Sequence, residues 1–271
     1  VLVVLDEPPC TSDWGLDFRP DYRRIRDLIG LLPAEGPRAV PVLATTATAN
    51  ARVVADVVEQ LGVASEQDVF VLRGPLARAS LRLGVLRMPS PAARLAWLLD
   101  HLGDLPGSGI VYALTVSAAE DTARALREAG HEVVAYTGRT DPERRAEIEE
   151  DLKANRVKAV VATSALGMGF DKPDLTFVVH LGAPGSPVAY YQQVGRAGRG
   201  TDHADVLLLP GPEDRRIWEY FATASMPDEE QARAVLGALA DHGGALSVAA
   251  LEPSVRIKRT SLELLLKVLA V

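Results

Sequence analysis

Between residues 110 and 209 the chain repeatedly sets a short, uninterrupted apolar run against a longer segment with helical spacing, and few folds accept that pattern. Strands are read over 110–114, 132–136, 158–162, 175–180 and 204–209, and helices over 117–129, 142–153 and around 188–196. A strand that is apolar at nearly every position buries both of its faces. Both faces of a sheet are covered when helices cross over between parallel strands, so the series predicts a parallel, doubly wound α/β sheet. A shorter series of the same kind comes first: a strand over 1–5, a helix over 21–32, a strand over 40–44, a helix over 50–61 and a short strand over 69–72. In the first of those helices Tyr22, Ile25, Leu28, Ile29 and Leu32 fall at helical spacing and leave Arg23, Arg24 and Arg26 mainly on the opposite face. Residues 73–91, rich in Gly, Pro and Arg, suit a crossing between two lobes, with 80–86 extended. Beyond Pro212 only helices are read, over 229–241, 248–251 and 258–269, and 246–269 has the pattern of a helix-turn-helix. The expected domains are therefore an incomplete first lobe (1–88), a second lobe (89–211) and a small helical segment with a winged-helix-like part (212–271).

Length and charge narrow the function classes. A chain of 271 residues, 48% hydrophobic and 24% charged, has the length of about two domains. No stretch reaches the roughly eighteen uninterrupted apolar residues of a membrane span, and no basic region with an apolar segment and cleavage site stands at the N-terminus. The expectation is a cytoplasmic, bacterial nucleoid-associated monomer with no membrane partner. Cys10 is the single cysteine, which excludes an internal disulfide framework and a Cys-rich zinc site within these residues. A net charge of −7 argues against diffuse attraction to nucleic acid, so DNA contacts must come from local basic patches. Arg19, Arg23, Arg24 and Arg26 form one such cluster, and Arg256, Lys258 and Arg259 a second; either is equally a solvated helix face.

The first apolar run ends on Asp6 and Glu7, an acidic pair at the carboxyl end of a parallel strand, where ligands of open α/β sheets bind. Such a pair suits ATP hydrolysis. Asp6 would hold Mg²⁺ through water, since that ion takes few carboxylates, and Glu7 would orient or deprotonate the attacking water. Alone, the pair is more often a solvated turn. The continuation DEPPCTSDWGLDFRPDYRRI, however, resembles the DExH box and aromatic-rich loop of the RecQ helicases. That resemblance implies two RecA-like lobes, a phosphate-binding loop upstream of residue 1, and a role for Trp14, Phe18 and Arg19 in sensing single-stranded DNA. The physics agrees, because bases stack on aromatic faces and Arg neutralises phosphate. Pro8, Pro9 and Leu16 replace residues usual in the family, and a proline both fixes φ and removes a donor, so weak coupling of hydrolysis to DNA is expected. Thr45-Thr46-Ala47-Thr48-Ala49 resembles the family's Thr-Ala-Thr-Ala element, which links the acidic pair to domain closure.

In the second lobe, residues 191–199 (YQQVGRAGR) match the superfamily 2 pattern QxxGRxGR and resemble its RecQ version. Two arginines three apart lie on one side of a helical turn, and the glycines allow close backbone approach to a nucleotide. The resemblance makes Arg196 and Arg199 arginine fingers and places Gln192 and Gly195 beside ATP. Residues 162–173 (ATSALGMGFDKP) resemble the family's motif V: Thr163 and Ser164 would contact the DNA backbone, and Gly169 and Asp171 would line the nucleotide cleft. Thr115, within 112–117, and the stretch 136–138 sit where the family has further backbone contacts. Hydroxyl contacts to phosphate carry no sequence information, which suits an enzyme that walks any DNA. Many RecQ proteins carry a four-cysteine zinc subdomain after the second lobe; the lack of cysteine here implies a branch without zinc.

The function implied is ATP- and Mg²⁺-dependent unwinding of duplex DNA with 3′ to 5′ polarity along a single strand, in repair and recombination. ATP would bind between lobes that close on it. A translocase that hydrolyses ATP without separating strands shares these motor motifs, and an inactive DNA-binding scaffold would explain the two prolines. An RNA helicase fits the WGLDFRPDY loop less well. The 271 residues contain no Gly-rich Lys-Ser or Lys-Thr loop, so by themselves they are expected not to hydrolyse ATP.

Overall fold

In the computed structural model, residues 2–6, 28, 31, 40–46, 51–61, 69–74, 77–167, 170–224 and 227–269 are described. The chain divides into two units, Pro75–Trp218 and Val1–Gly74 together with Glu219–Val271.

In the latter unit β1 (Val3–Asp6) pairs in parallel with β2 (Val42–Thr45), with Asp6 opposite Thr45, and α1 (Ala51–Leu61) follows. Both strands alternate between half-buried and exposed positions, and Val4 and Leu43 are exposed, so parallel pairing is as read but burial of both faces is not. Of the helix expected over 21–32 only Leu28 and Leu31 are described, and both are helical. The strand expected over 69–72 is absent: these residues join no ladder, and Phe70 is 90% exposed. An apolar run becomes a strand only where a partner offers its backbone groups.

Pro75–Trp218 holds a six-stranded parallel sheet whose strands lie side by side in the order Leu81–Val85, Ala204–Leu209, Leu175–Leu181, Ser108–Ala113, Ala159–Ala162 and Val133–Tyr136. In chain order it runs β3 (Leu81–Val85), α2 (Pro91–His101), β4 (Ser108–Ala113), α3 (Val116–Glu128), β5 (Val133–Tyr136), α4 (Pro142–Lys153), β6 (Ala159–Ala162), β7 (Leu175–Leu181), α5 (Pro187–Val194) and β8 (Ala204–Leu209), with α6 (Asp214–Ala224) following. Alternate residues of one strand feed opposite cores. Ile110, Val160, Val178 and Val206 pack with Ile148 and Leu152 of α4 and Val194 of α5. Val111, Val161, Val179 and Phe177 pack with Leu98 of α2 and Ala119, Ala123 and Leu126 of α3. The period-two pleat thus turns a continuous apolar run into a three-layer sandwich.

Helix α2 escapes the sequence reading although its start is marked. Ser90 is its N-cap, accepting from Ala93 N at 3.1 Å, and Pro91 stands in the first turn. Buried Arg94 in this helix pairs with Glu213, tying it to the segment after β8. The stretch read as extended over 80–86, inside the crossing over 73–91, is strand β3, the edge of the second-lobe sheet, paired with β8.

Helix α6, over 214–224, was likewise not read. After it, α7 (Glu229–His242), α8 (Val248–Val255) and α9 (Arg259–Leu269) enclose a small core of Val235, Leu251, Val255, Ile257, Leu262 and Leu265. Asp228 and Gln231 form a reciprocal capping box at the start of α7. No strand accompanies these helices among the described residues, so the helical segment stands and a wing is not seen.

Gly109 lies in the middle of this packing, and a Cβ there would sit 2.2 Å from the Phe177 ring. Gly109→Ala is expected to destabilise the protein by about 1 to 3 kcal/mol through overpacking, read in urea unfolding. Gly237→Ala is the contrast: a Cβ in α7 meets nothing within 4 Å, and the better helix former should stabilise by roughly 0.5 to 1 kcal/mol.

Candidate functional site

The acidic end of β1 is held by its neighbour. Thr45 Oγ1 donates to Asp6 Oδ1 at 2.9 Å, so the threonine that opens the Thr-Thr-Ala-Thr-Ala run orients the first carboxylate of the acidic pair. One exposed carboxylate at the carboxyl end of a strand fits Mg²⁺ held through water, and among the described residues no cluster of three or more His, Cys, Asp or Glu offers a direct metal cage. Glu7, Trp14, Phe18 and Arg19 lie outside the described residues, as do Pro8, Pro9 and Leu16.

The second group is built around the end of α5. Ser186 caps its start, accepting from Ala189 N at 3.1 Å, with Pro187 in the first turn; Gly195 caps its end. Beyond Val194 the chain is no longer helical, and Gly198 turns it with a φ of +66°. The two arginines therefore do not share a helical face. Arg196 points inward, 8% exposed, and its Nη1 donates to Phe170 O at 3.0 Å. Arg199 points outward, donating from Nη1 to Asp171 Oδ1 at 2.7 Å and from Nε to Gly195 O at 3.1 Å. Two backbone bonds complete the seam: Gly198 N donates to Leu175 O at 2.9 Å and Gly200 N to Pro173 O at 2.7 Å. Residues 195–200 and 170–175 are thus fastened together beside the amino-terminal end of β7. Gln192 is half-buried on α5, and Gly169 lies outside the described residues.

Lys172, next to Asp171, turns the other way. Its ammonium is buried and donates to Asp174 Oδ1 at 2.7 Å. Asn155 Nδ2 donates to the other oxygen of Asp174 at 3.0 Å, and these contacts, the asparagine's first, hold the carboxyl below its usual range. Sequence reasoning singled out neither Lys172 nor Asn155. Their alternation with Asp171 anchors one side chain inside while presenting the next to solvent.

The hydroxyl residues lie elsewhere, after the carboxyl ends of β4 and β6. Thr115 caps α3, accepting from Ala118 N at 3.2 Å. Thr163 is buried, with its Oγ1 accepting from Ala165 N at 3.3 Å, whereas Ser164 is exposed. Of the three, Ser164 has the side chain most open to a ligand.

Across β4, β7 and α5 runs an aromatic layer, buried at Tyr112 and His180. His180 stacks on Tyr112 at 5.3 Å between centroids and meets Tyr190 at 5.2 Å. Its Nε2 is 2.9 Å from Gln193 Oε1, an acceptor, which places the ring proton on Nε2. Burial drives the imidazole down to about 4 against the opposing hydrogen bond to Gln193. Burial also pushes the Tyr112 hydroxyl up to about 12, with the nearby Arg196 charge pulling the other way.

Comparison with known proteins bears on the same elements. Residues 93–201, from α2 through the arginine segment, match the helicase conserved C-terminal domain. The chain is 35% identical over 205 residues to the ATP-dependent DNA helicase Q-like 4B of Arabidopsis thaliana, covering 76% of this chain and 17% of that protein. It is 33% identical over 229 residues to the ATP-dependent DNA helicase RecQ of Pasteurella multocida, covering 84% and 34%. The chain belongs to the RecQ-like helicases of superfamily 2. It spans about a sixth and a third of the lengths of these two relatives. In fold, the RecQ-like chain is similar to S. cerevisiae Dbp5 bound to RNA and ADP BeF3, with a TM-score of 0.64 at 22% identity over 80% of this chain and 55% of that one. That likeness carries the RecA-like lobe architecture expected from the sequence.

The histidine layer sets a pH dependence. With the folded pKa near 4 and the unfolded value near 6.5, the unfolded chain takes up a proton first, so stability is full above about pH 6.5 and is lost as pH falls toward 4. The loss is on the order of 3 kcal/mol across that window. Unfolding measured from pH 7 to 5 should show it, and His180→Phe should flatten the curve there.

Proposed function

We propose that the protein to which this RecQ-like chain belongs is an ATP-driven DNA helicase, and that Arg199 is the arginine that meets the phosphates. The observation that carries this reading is the pairing of Arg199 with Asp171 on a seam fastened at both ends. Their side chains are 45% and 57% exposed, so the ion pair is worth at most about 1 kcal/mol and is readily exchanged for a phosphate. A planar, always charged guanidinium suits that partner. Arg196, buried against Phe170, supports the same loop from within, and Gln192, Gly195 and Gly169 flank the nucleotide. Asp6 and Glu7 serve the hydrolytic water, with Asp6 holding Mg²⁺ through water. When bound, the ion would neutralise phosphate charge.

The strand of DNA is gripped elsewhere, by Thr115 and Ser164 after the carboxyl ends of β4 and β6, with the buried Thr163 holding the loop that presents Ser164, and by Trp14, Phe18 and Arg19 of the aromatic-rich loop. Backbone contacts of this type read no sequence. DNA as the substrate is supported by relatives named as DNA helicases, and 3′ to 5′ unwinding by the resemblance of the motifs to the RecQ type. Asp171 is a surface acceptor that keeps Arg199 extended until the nucleotide arrives.

The test is ATP turnover and displacement of a labelled strand by the full-length protein. Single-stranded DNA should stimulate hydrolysis only weakly, as Pro8 and Pro9 imply, and Arg199→Ala should lower kcat about 10³-fold, in the range of arginine fingers. Its folding stability should change by less than about 1 kcal/mol, as for an exposed pair. Wild-type turnover in Arg199→Ala would overturn the assignment, and ATP hydrolysis with no strand displacement would identify a translocase instead.

A further inference from the structure

We infer that Arg78 and Ser80, in the stretch leading into β3, are positioning residues for Arg199. The inference rests on the phosphate-contacting role given to Arg199 above. Arg78 Nη1 donates to Gly195 O at 2.7 Å, and that same carbonyl accepts from Arg199 Nε at 3.1 Å. One oxygen therefore fixes two guanidinium groups more than a hundred residues apart in sequence.

The location makes the arrangement physically sound. Gly195 closes α5, and the carboxyl end of a helix carries partial negative charge and unsatisfied carbonyls, which favour cations there. A hydrogen bond from a charged donor is also stronger than a neutral one. Three residues further on, Ser80 Oγ donates to Gly198 O at 2.8 Å, while Ala204 N donates to Ser80 O at 2.8 Å. Ser80 thus ties the segment 195–200 to the start of β8. The fit leaves no room for a side chain, because a Cβ on Gly198 would stand 2.9 Å from Ser80 Oγ and 3.1 Å from Leu81 Cδ2. Residues 78–81 cover the arginine segment from one side, and residues 170–175 hold it from the other. The Gly195 carbonyl is the point where a movement of the stretch before β3 reaches the orientation of Arg199.

The prediction is tested in the full-length protein by hydrogen exchange together with steady-state ATP hydrolysis, comparing Arg78→Ala, Arg78→Lys, Ser80→Ala and Arg199→Ala. In Arg78→Ala the amides of Gly198 and Gly200 should exchange at least tenfold faster while those of β4 and β6 are unchanged. Its kcat should fall at least tenfold, with KM for ATP moving less than threefold. Arg78→Lys keeps a charged donor and should recover most of the loss. Ser80→Ala should speed exchange at Gly198 with a smaller fall in kcat, and it carries the test if Arg78→Ala fails to fold. Unchanged exchange at Gly198 and Gly200 overturns the brace. Faster exchange with wild-type kcat overturns its positioning role. If Arg199→Ala itself turns over ATP normally, the phosphate assignment fails, and exchange alone then decides whether the brace exists.

Discussion

Burial of both faces of β4, β6 and β7 is the constraint from which the larger unit follows. Ile110, Val160 and Val178 face one core and Val111, Val161 and Val179 the other, and none of the six is exposed to solvent. Strands of that kind need a helix on each side, and the crossovers that supply helices also make the strands parallel. Parallel strands in turn gather their carboxyl ends at one edge of the sheet. Thr115, Thr163 and Ser164 stand at that edge because β4 and β6 stop there.

The arginine segment obeys a different rule. It is irregular chain, and its conformation comes from hydrogen bonds to parts of the molecule far away in sequence: Phe170 and residues 173–175 on one side, Arg78 and Ser80 on the other. Two arginines three residues apart consequently have opposite environments. Desolvating a guanidinium is unfavourable unless it is hydrogen-bonded, and the Phe170 carbonyl supplies such a bond to Arg196. Arg199 remains in water beside Asp171, where an ion pair is weak enough to be exchanged. Two residues that look equivalent in the motif are thus one buried and one displayed.

Much of the fold was legible in the chain. The strands at 110–114, 132–136, 158–162, 175–180 and 204–209 and the helices between them appear within a few residues of where apolar runs and helical spacing put them. Asp6 and Thr45 were named from separate motifs, and the strand register sets them opposite one another. Helix α2 begins only where a stretch rich in Gly, Pro and Arg ends and goes unread, whereas 80–86, read as extended inside that stretch, is a strand because the edge of β8 is open to it, a partner 123 residues away in the register Leu81 to Ala204. The apolar run at 69–72 has the composition of a strand but finds no such partner.

Sequence alone determined the class of fold, the order of its elements and the motifs that place the chain among RecQ-like helicases, because periodicity and short-range spacing are local properties. Tertiary structure alone decided which arginine is buried and which is displayed. It also decided that Thr163 turns its hydroxyl into the loop while Ser164 faces solvent, and that Arg78 reaches Gly195. Those outcomes depend on desolvation and on partners more than a hundred residues distant or on the path of an irregular loop, and no local pattern encodes either.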